Sequence, residues 1–120
     1  MGDFNSGPAC PSCGVEAKNP AAYERILSKG FESANAVRTK SATWDPRVNT
    51  LITDPTERAH ITSHVFTKPD QVDANNPKLF WNYPSPVETP NGVVDMFPSD
   101  HFASRVTITW PAGGLGLGGS

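Results

Sequence analysis

The sequence of 120 residues lacks any long apolar run: hydrophobic residues make up 37% of it, and they fall in stretches of only a few residues. A helix that spans a bilayer needs about 20 mostly apolar residues, so we predict no transmembrane segment. The chain also opens without the charged, apolar and small-residue succession of a signal peptide, and we expect none in this sequence. The length predicts one domain at most.

An excess of one charge is missing as well. The chain carries 10 basic and 12 acidic side chains, for a net charge of −2. A protein that binds nucleic acid through bulk charge is distinctly basic, so there is no strong nucleic-acid signal. The 12 prolines and 10 glycines predict instead a chain rich in loops.

Cysteine is scarce: Cys10 and Cys13 are the only two. A zinc site that adds His60 and His64 is one interpretation, but the gap between the two pairs is longer than in zinc fingers. A redox pair usually opens a helix after a strand, a pattern that this region does not show. A small local disulfide or two free thiols are therefore the favoured alternatives.

One helix is well marked in the sequence. Asn19 is predicted to cap it, Pro20 suits its first turn and Gly30 its end. Helical spacing predicts a buried face formed by three apolar side chains, Tyr23, Ile26 and Leu27.

Strands are predicted at 61–66, 93–97 and 105–110. The last alternates clearly and should bury Val106, Ile108 and Trp110 on one face. Between the first two strands, residues 70–90 are rich in proline and asparagine and predict a long surface excursion. A glycine-rich tail is predicted at 113–120.

Two short motifs combine residue types suited to catalysis. In Gly2-Asp3-Phe4-Asn5, an acid and an amide two residues apart at a strand end can face one site. The carboxylate can orient a water, and the amide can donate to a phosphate oxygen. Ordinary turn chemistry is the alternative for this motif.

The second motif, Pro98-Ser99-Asp100-His101-Phe102, lies just before the alternating strand. His101 can take up or donate a proton near neutral pH, and Asp100 can bind a divalent cation. A solvated Asp-His pair in a turn is the alternative.

Both motifs resemble signatures of the endonuclease/exonuclease/phosphatase (DNase I-like) superfamily. The stretch Ala42-Thr43-Trp44-Asp45-Pro46-Arg47-Val48-Asn49 resembles one found in sphingomyelin phosphodiesterases of the bacterial, neutral type. The resemblance covers 1–110, which matches only the C-terminal half of that family's domain. It implies an α/β (α+β) fold: residues 1–112 as half of a four-layer sandwich, with a mixed β-sheet and flanking helices.

The resemblance also implies a reaction, the Mg²⁺-dependent hydrolysis of a phosphodiester by in-line attack of water. Asp3 would position or activate the water, Asn5 would bind the phosphate, and His101 would act as base or phosphate stabiliser. Asp100 would lie beside the metal. The family's main glutamate ligand to Mg²⁺ belongs to the half that this sequence does not contain, so we expect the chain alone to be inactive.

One departure from the family concerns the residue that orients the histidine. Family members carry an Asp where the alignment on Phe66, Lys68 and Pro69 places Ser63. We therefore predict that the Ser63 hydroxyl lies beside the His101 ring and that the weaker acceptor slows the reaction. Asp95 is the alternative carboxylate for this role.

The implied partners are a phosphodiester, in particular the sphingomyelin head group, and the missing N-terminal half. Trp81 and Tyr83 suit contact with a membrane surface, although covering an edge of the core is the favoured interpretation of both. The resemblance also favours a secreted protein. A nuclease or other phosphatase of the superfamily, and a non-catalytic remnant or interaction fragment, are the competing functions.

Overall fold

The computed structural model describes residues 1–38 and 41–110. Its regular elements are β1 Gly2–Asp3, α1 Pro20–Leu27, β2 Glu32–Ser33, β3 Ser63–His64, β4 Phe66–Thr67, β5 Asp73–Phe80, β6 Ser85–Thr89, β7 Gly92–Met96 and β8 Ala103–Thr109. These elements form a mixed α and β structure, which confirms the coarse fold class. The predicted glycine-rich tail, 113–120, lies outside these residues.

The strands pair two by two, always antiparallel: β1 with β3, β2 with β4, β5 with β8 and β6 with β7. A parallel bridge joins Val15 to Ala59. In the described ranges there is one α-helix rather than several flanking helices. A layered sandwich is not apparent in this arrangement, and the four-layer fold remains a prediction.

The predicted helix is confirmed, but its cap is not. Asn19 adopts a left-handed conformation with φ 43° and makes no capping hydrogen bond. Its side-chain nitrogen Nδ2 donates instead to the carbonyl oxygen of Asn5, 2.7 Å away. On the predicted apolar face Tyr23 is buried, whereas Ile26 and Leu27 are half-buried. The helix therefore anchors the loop that carries the first motif.

The predicted surface excursion at 70–90 is wrong, because β5 and β6 lie within it. Pro77 and the asparagines suggested a loop, but they fall at a shift in the β5–β8 register between Asn75 and Lys78. Asn76 has φ 50° there, a conformation that asparagine tolerates better than most residues. A β-bulge thus admits residues that ordinarily break a strand.

The other predicted strands need smaller corrections. The strand expected at 61–66 divides into β3 and β4, which pair with different partners. The strand predicted at 93–97 is confirmed as β7, and that at 105–110 as β8. Val106 and Ile108 are half-buried as predicted, but Trp110 is exposed because the paired ladder ends at Thr109.

A small core lies beneath the loop that follows β1. It is built from short apolar side chains, namely Cys10, Val15, Ala36, Ala42, Ala59 and Ile61. Cys10 and Cys13 form a disulfide, one of the two alternatives that the sequence favoured, so neither sulfur is a free thiolate for the zinc site. Because the apolar side chains are small, buried polar groups and close backbone contacts complete the packing.

One such contact is at Gly7, where an added Cβ would overlap the carbonyl of Ile61.

None of the helices in residues 1–38 and 41–110 is long and apolar enough to cross a membrane.

Candidate functional site

The two motifs meet at one cavity of about 240 Å³. Asp3 and Asn5 come from the start of the chain and His101 from near its end. Of the described residues, those that line it are Asp3, Asn5, Lys18, Trp44, Glu57, His60, Thr62 and His101. Of the predicted site residues, the structure therefore brings together the acid, the amide and the histidine.

The first motif is held in place by pairing and by a local turn. Asp3 lies opposite Ser63 in the β1–β3 ladder, and the amide of Phe4 donates to the Thr62 carbonyl at 2.9 Å. The Asp3 Oδ1 atom accepts the backbone N–H of Asn5 at 2.8 Å. This bond fixes the carboxylate and leaves its Oδ2 atom directed toward the histidine. The side-chain amide of Asn5 has no hydrogen-bond partner in the described chain and is available to a ligand.

His101 faces the first motif across a short gap. Its Nε2 atom lies 3.6 Å from Asp3 Oδ2, longer than a good direct hydrogen bond. A water or a ligand oxygen between the two groups can bond to both. The other ring nitrogen, Nδ1, is buried and has no hydrogen-bond partner among residues 1–38 and 41–110.

The third stretch, from Thr43 to Asn49, supports the loop of His101. Asn49 is fully buried, and its Nδ2 atom donates to the carbonyls of Ser99 at 2.7 Å and Asp100 at 3.1 Å. The ring centroids of Trp44 and His101 are 4.8 Å apart. In the sequence, this stretch was notable only because it resembles one in sphingomyelin phosphodiesterases. In the structure, it holds the loop that carries His101.

Thr43 joins both motifs through the same segment. Its carbonyl accepts the backbone N–H of Phe102 at 2.7 Å. Its hydroxyl oxygen accepts the N–H groups of Thr62 at 2.9 Å and Ser63 at 3.1 Å. One buried residue thus connects the histidine loop, through its backbone carbonyl, to the strand that pairs with β1, through its side-chain hydroxyl.

Asp100 does not join the other predicted residues. It is exposed, it does not line the cavity, and its carboxylate lies 3.4 Å from the Ser99 hydroxyl. Within the described part of the chain, no group of three or more His, Cys, Asp or Glu side chains is arranged to hold a metal ion. A metal role for Asp100 therefore gains no support from its position.

The predicted contact between Ser63 and His101 is wrong. Ser63 is the cross-strand partner of Asp3 and lines a neighbouring depression, but no hydrogen bond joins its hydroxyl to the imidazole. The side chain that lines the cavity beside His101 is Thr62, one residue earlier, because neighbouring side chains of an extended chain point to opposite sides. Asp95, the alternative, lies on exposed β7 and does not line the cavity.

Sequence reasoning did not assign four of the lining residues to this site: Lys18, Glu57, Thr62 and His60, for which the sequence suggests only a role as zinc ligand. His60 is buried, and its Nδ1 atom lies 2.8 Å from the carbonyl oxygen of Glu16. The only signal in the sequence is the spacing of His60 and Thr62, two residues apart in an extended segment. The isolated bridge between Trp44 and His60, which brings this segment to the site, depends on tertiary structure.

His64 is the structural histidine of the three. It is fully buried, with Nε2 2.7 Å from the Ser6 carbonyl and Nδ1 2.7 Å from the Ser33 hydroxyl. A carbonyl only accepts, so Nε2 carries the proton and Nδ1 accepts from Ser33. Burial lowers the pKa of His64 from its ordinary value of 6.5. This neutral ring holds the loop that follows the first motif.

The connection between β5 and β6 carries two exposed aromatic residues. Trp81 is 57% exposed and Tyr83 74%, so the interpretation that these rings cover a core edge is wrong. Contact with a membrane surface remains a prediction for both.

Comparison of the chain with protein-family models, with curated proteins and with solved structures gives no match. The family resemblance therefore depends on the three short motifs, and the site is interpreted from its own geometry.

Proposed function

We propose that this chain is part of a phosphodiester hydrolase of the sphingomyelinase type, with the fold of the C-terminal half of a four-layer DNase I-like domain. One observation carries the proposal. Asp3 and Asn5 from one motif, and His101 from another near the opposite end of the sequence, line the same cavity. Turn chemistry alone gives no reason for two remote polar motifs to meet.

The three residues have complementary roles in hydrolysis. The fixed carboxylate of Asp3 accepts a hydrogen bond from the attacking water and orients it. The free amide of Asn5 donates to a phosphoryl oxygen, on which negative charge grows in the transition state. His101, 3.6 Å from Asp3, is placed to exchange a proton with the water or to donate to the phosphate.

Mg²⁺ belongs to the proposal as the cofactor that the resemblance implies, where it would supply charge stabilisation at the phosphate. The side chains described here do not by themselves form a centre for it, since no three suitable ligands lie together. The family's glutamate ligand would come from residues outside this sequence. We therefore expect the chain alone to show no hydrolysis of sphingomyelin above background with Mg²⁺.

Phosphorylcholine is the head group that the proposal selects. An aromatic ring that lines a phosphate cavity can also attract a quaternary ammonium through its face, and Trp44 lines this cavity. The exposed Trp81 and Tyr83 agree with a substrate presented at a membrane surface.

A non-catalytic remnant or interaction fragment is the second candidate. The unpartnered Nδ1 of His101 favours it, because a catalytic histidine usually has its second ring nitrogen held by an acceptor. A nuclease or other phosphatase of the same superfamily is kept as an outcome of the experiment.

The test is an NMR titration of the chain with phosphorylcholine and, separately, with a thymidine dinucleotide. We expect phosphorylcholine to shift the Asn5 side-chain amide, the Trp44 indole and the His101 ring. Asn5→Ala should weaken binding about tenfold, as expected for loss of a hydrogen bond to a charged group. Asn91→Ala, in an exposed turn, is the matched control.

A response to the dinucleotide alone would favour the nuclease. No response to either ligand would contradict the proposal and favour the remnant.

A further inference from the structure

We propose that His60 is a further residue of the phosphate site. In this proposal the protonated ring of His60 donates a hydrogen bond from Nε2 to a phosphoryl oxygen. This inference rests on the proposed phosphate chemistry of the cavity. His60 belongs to none of the three motifs that resemble the superfamily. Its role is derived from the hydrogen bonding of its ring and from the charges around it.

The ring of His60 is held by one nitrogen only. Nδ1 lies 2.8 Å from the Glu16 carbonyl, and a carbonyl only accepts, so Nδ1 carries a proton in every charge state. Nε2 has no hydrogen-bond partner in the described chain. The unpaired side-chain atoms that are closed off from solvent in this part of the chain do not include it, so Nε2 is accessible. It therefore keeps access to the cavity that His60 lines.

His64 provides a contrast within the same chain. Both of its nitrogens are bonded inside the protein, to Ser6 and to Ser33, so its ring has nothing to offer a ligand. The opposite tautomers follow from the bonds: the proton of neutral His60 lies on Nδ1, and that of His64 on Nε2. An imidazole with one nitrogen fixed on a carbonyl and the other free is the arrangement that proteins use when a histidine contacts a ligand.

A second observation points to a ligand in the part of the cavity that His60 lines. Thr62, two residues after His60, is only 3% exposed and lines the same cavity, yet its hydroxyl has no hydrogen-bond partner among the described residues. Buried hydroxyls are nearly always bonded. A polar ligand in the cavity would explain the free Nε2, and it would bond this buried hydroxyl once the Thr62 side chain turns toward the cavity that it lines.

The charges around the cavity explain why His60 should be protonated in the complex. Among residues 1–38 and 41–110, the fixed charges in the lining are the Asp3 and Glu57 carboxylates and the Lys18 ammonium. With both lining histidines neutral, two negative charges and one positive leave a net charge of −1, which repels an anion. The flanking Glu16–Arg58 ion pair, 3.8 Å apart, is balanced. Protonation of His60 cancels the net charge and converts Nε2 into a charge-assisted donor.

The probe is sulfate, a tetrahedral oxyanion that does not itself titrate in this range. Nitrogen-15 spectra of the chain at about pH 6, within the range where imidazoles titrate, distinguish neutral from protonated rings. Sulfate should protonate His60 and shift the Asn5 side-chain amide, while the His64 ring, bonded at both nitrogens inside the protein, should not respond to sulfate and is the internal control. Calorimetry in buffers of different ionisation enthalpy should show uptake of a proton on binding.

His60→Asn is the matched variant. The Asn amide nitrogen occupies the position of Nδ1 and can keep the bond to Glu16, but nothing replaces Nε2. Sulfate binding should weaken about tenfold, and the part of the proton uptake that belongs to His60 should disappear. Thermal unfolding of the variant should match that of the parent chain. Unchanged affinity and proton uptake in a folded variant would overturn the proposal.

The outcomes separate this inference from the proposed function. If sulfate shifts Asn5 and His101 while His60 stays neutral, His60 has no such role, and the proposed function stands. If His60 alone responds, it binds oxyanions, but the convergent site that supports the hydrolase is contradicted. No response at any of these residues would overturn both.

Discussion

The cavity region and the β6–β7 hairpin are built in opposite ways. Around the cavity, strands are only two residues long, and the chain is held by buried side chains such as Thr43, Asn49 and His64. The hairpin has a regular ladder from Ser85–Met96 to Thr89–Gly92, yet nearly all its residues are exposed. Regular secondary structure and tertiary anchoring are thus separate properties, and in this chain the residues with candidate chemistry lie in the anchored, irregular part.

The sharpest test of this comparison uses two glycines. Gly7→Ala should lower the free energy of unfolding by about 3 kcal/mol, because its Cβ would overlap the Ile61 carbonyl. Gly92→Ala, in the hairpin, meets open space and bears only the strain of a φ of +112°, which costs about 1 kcal/mol. Urea unfolding measures both values. Equal losses would mean that the hairpin is anchored as firmly as the core.

Asn49→Ala should give the next largest effect. It leaves the carbonyls of Ser99 and Asp100 without their buried donor, at a cost of about 2 kcal/mol. The exposed hairpin residue Asn91 is the control, and Asn91→Ala should change stability by less than about 0.5 kcal/mol. A similar loss in both variants would contradict the anchoring role of Asn49.

Acid should destabilise the cavity region through His64. Its pKa in the folded state is lowered from 6.5 by burial, so the unfolded chain binds more protons between the two pKa values. The free energy of unfolding should therefore fall as the pH drops below 6.5 and continue to fall toward the lowered pKa. In His64→Gln, whose amide can still donate to the Ser6 carbonyl, urea midpoints should lose this part of their pH dependence. An unchanged pH profile in that variant would assign the effect to other groups.

The smallest effect is expected in the hairpin itself. Val94 is the cross-strand partner of Val87 and is 43% exposed, so Val94→Ala should change global stability by less than about 0.5 kcal/mol. Faster amide exchange should be confined to β6 and β7, since an isolated two-stranded hairpin is only marginally stable. Ile61→Val in the core, by contrast, should cost about 1 kcal/mol. A global loss at Val94 as large as that at Ile61 would mean that the hairpin packs against the body.

Much of the local structure could be predicted from sequence. The punctuation of Pro20 and Gly30 located α1, and the alternation after residue 104 located β8. Polar motifs at element ends identified Asp3, Asn5 and His101, because acids, amides and histidines at such places are unusual enough to be noticed. The strand β5 was missed, since a bulge allowed Pro77 and its neighbouring asparagines in a ladder, and such tolerance depends on the partner strand.

The sequence by itself therefore determined which residue types could do chemistry and where several local elements begin and end, because these depend on neighbours along the chain. Tertiary structure decided which of them meet. It placed Asp3 by His101, left Asp100 exposed, placed Thr62 rather than Ser63 in the wall of the cavity, and brought in His60 through its bridge to Trp44. Such choices depend on strand register, in which a shift of one residue reverses the side that a side chain faces.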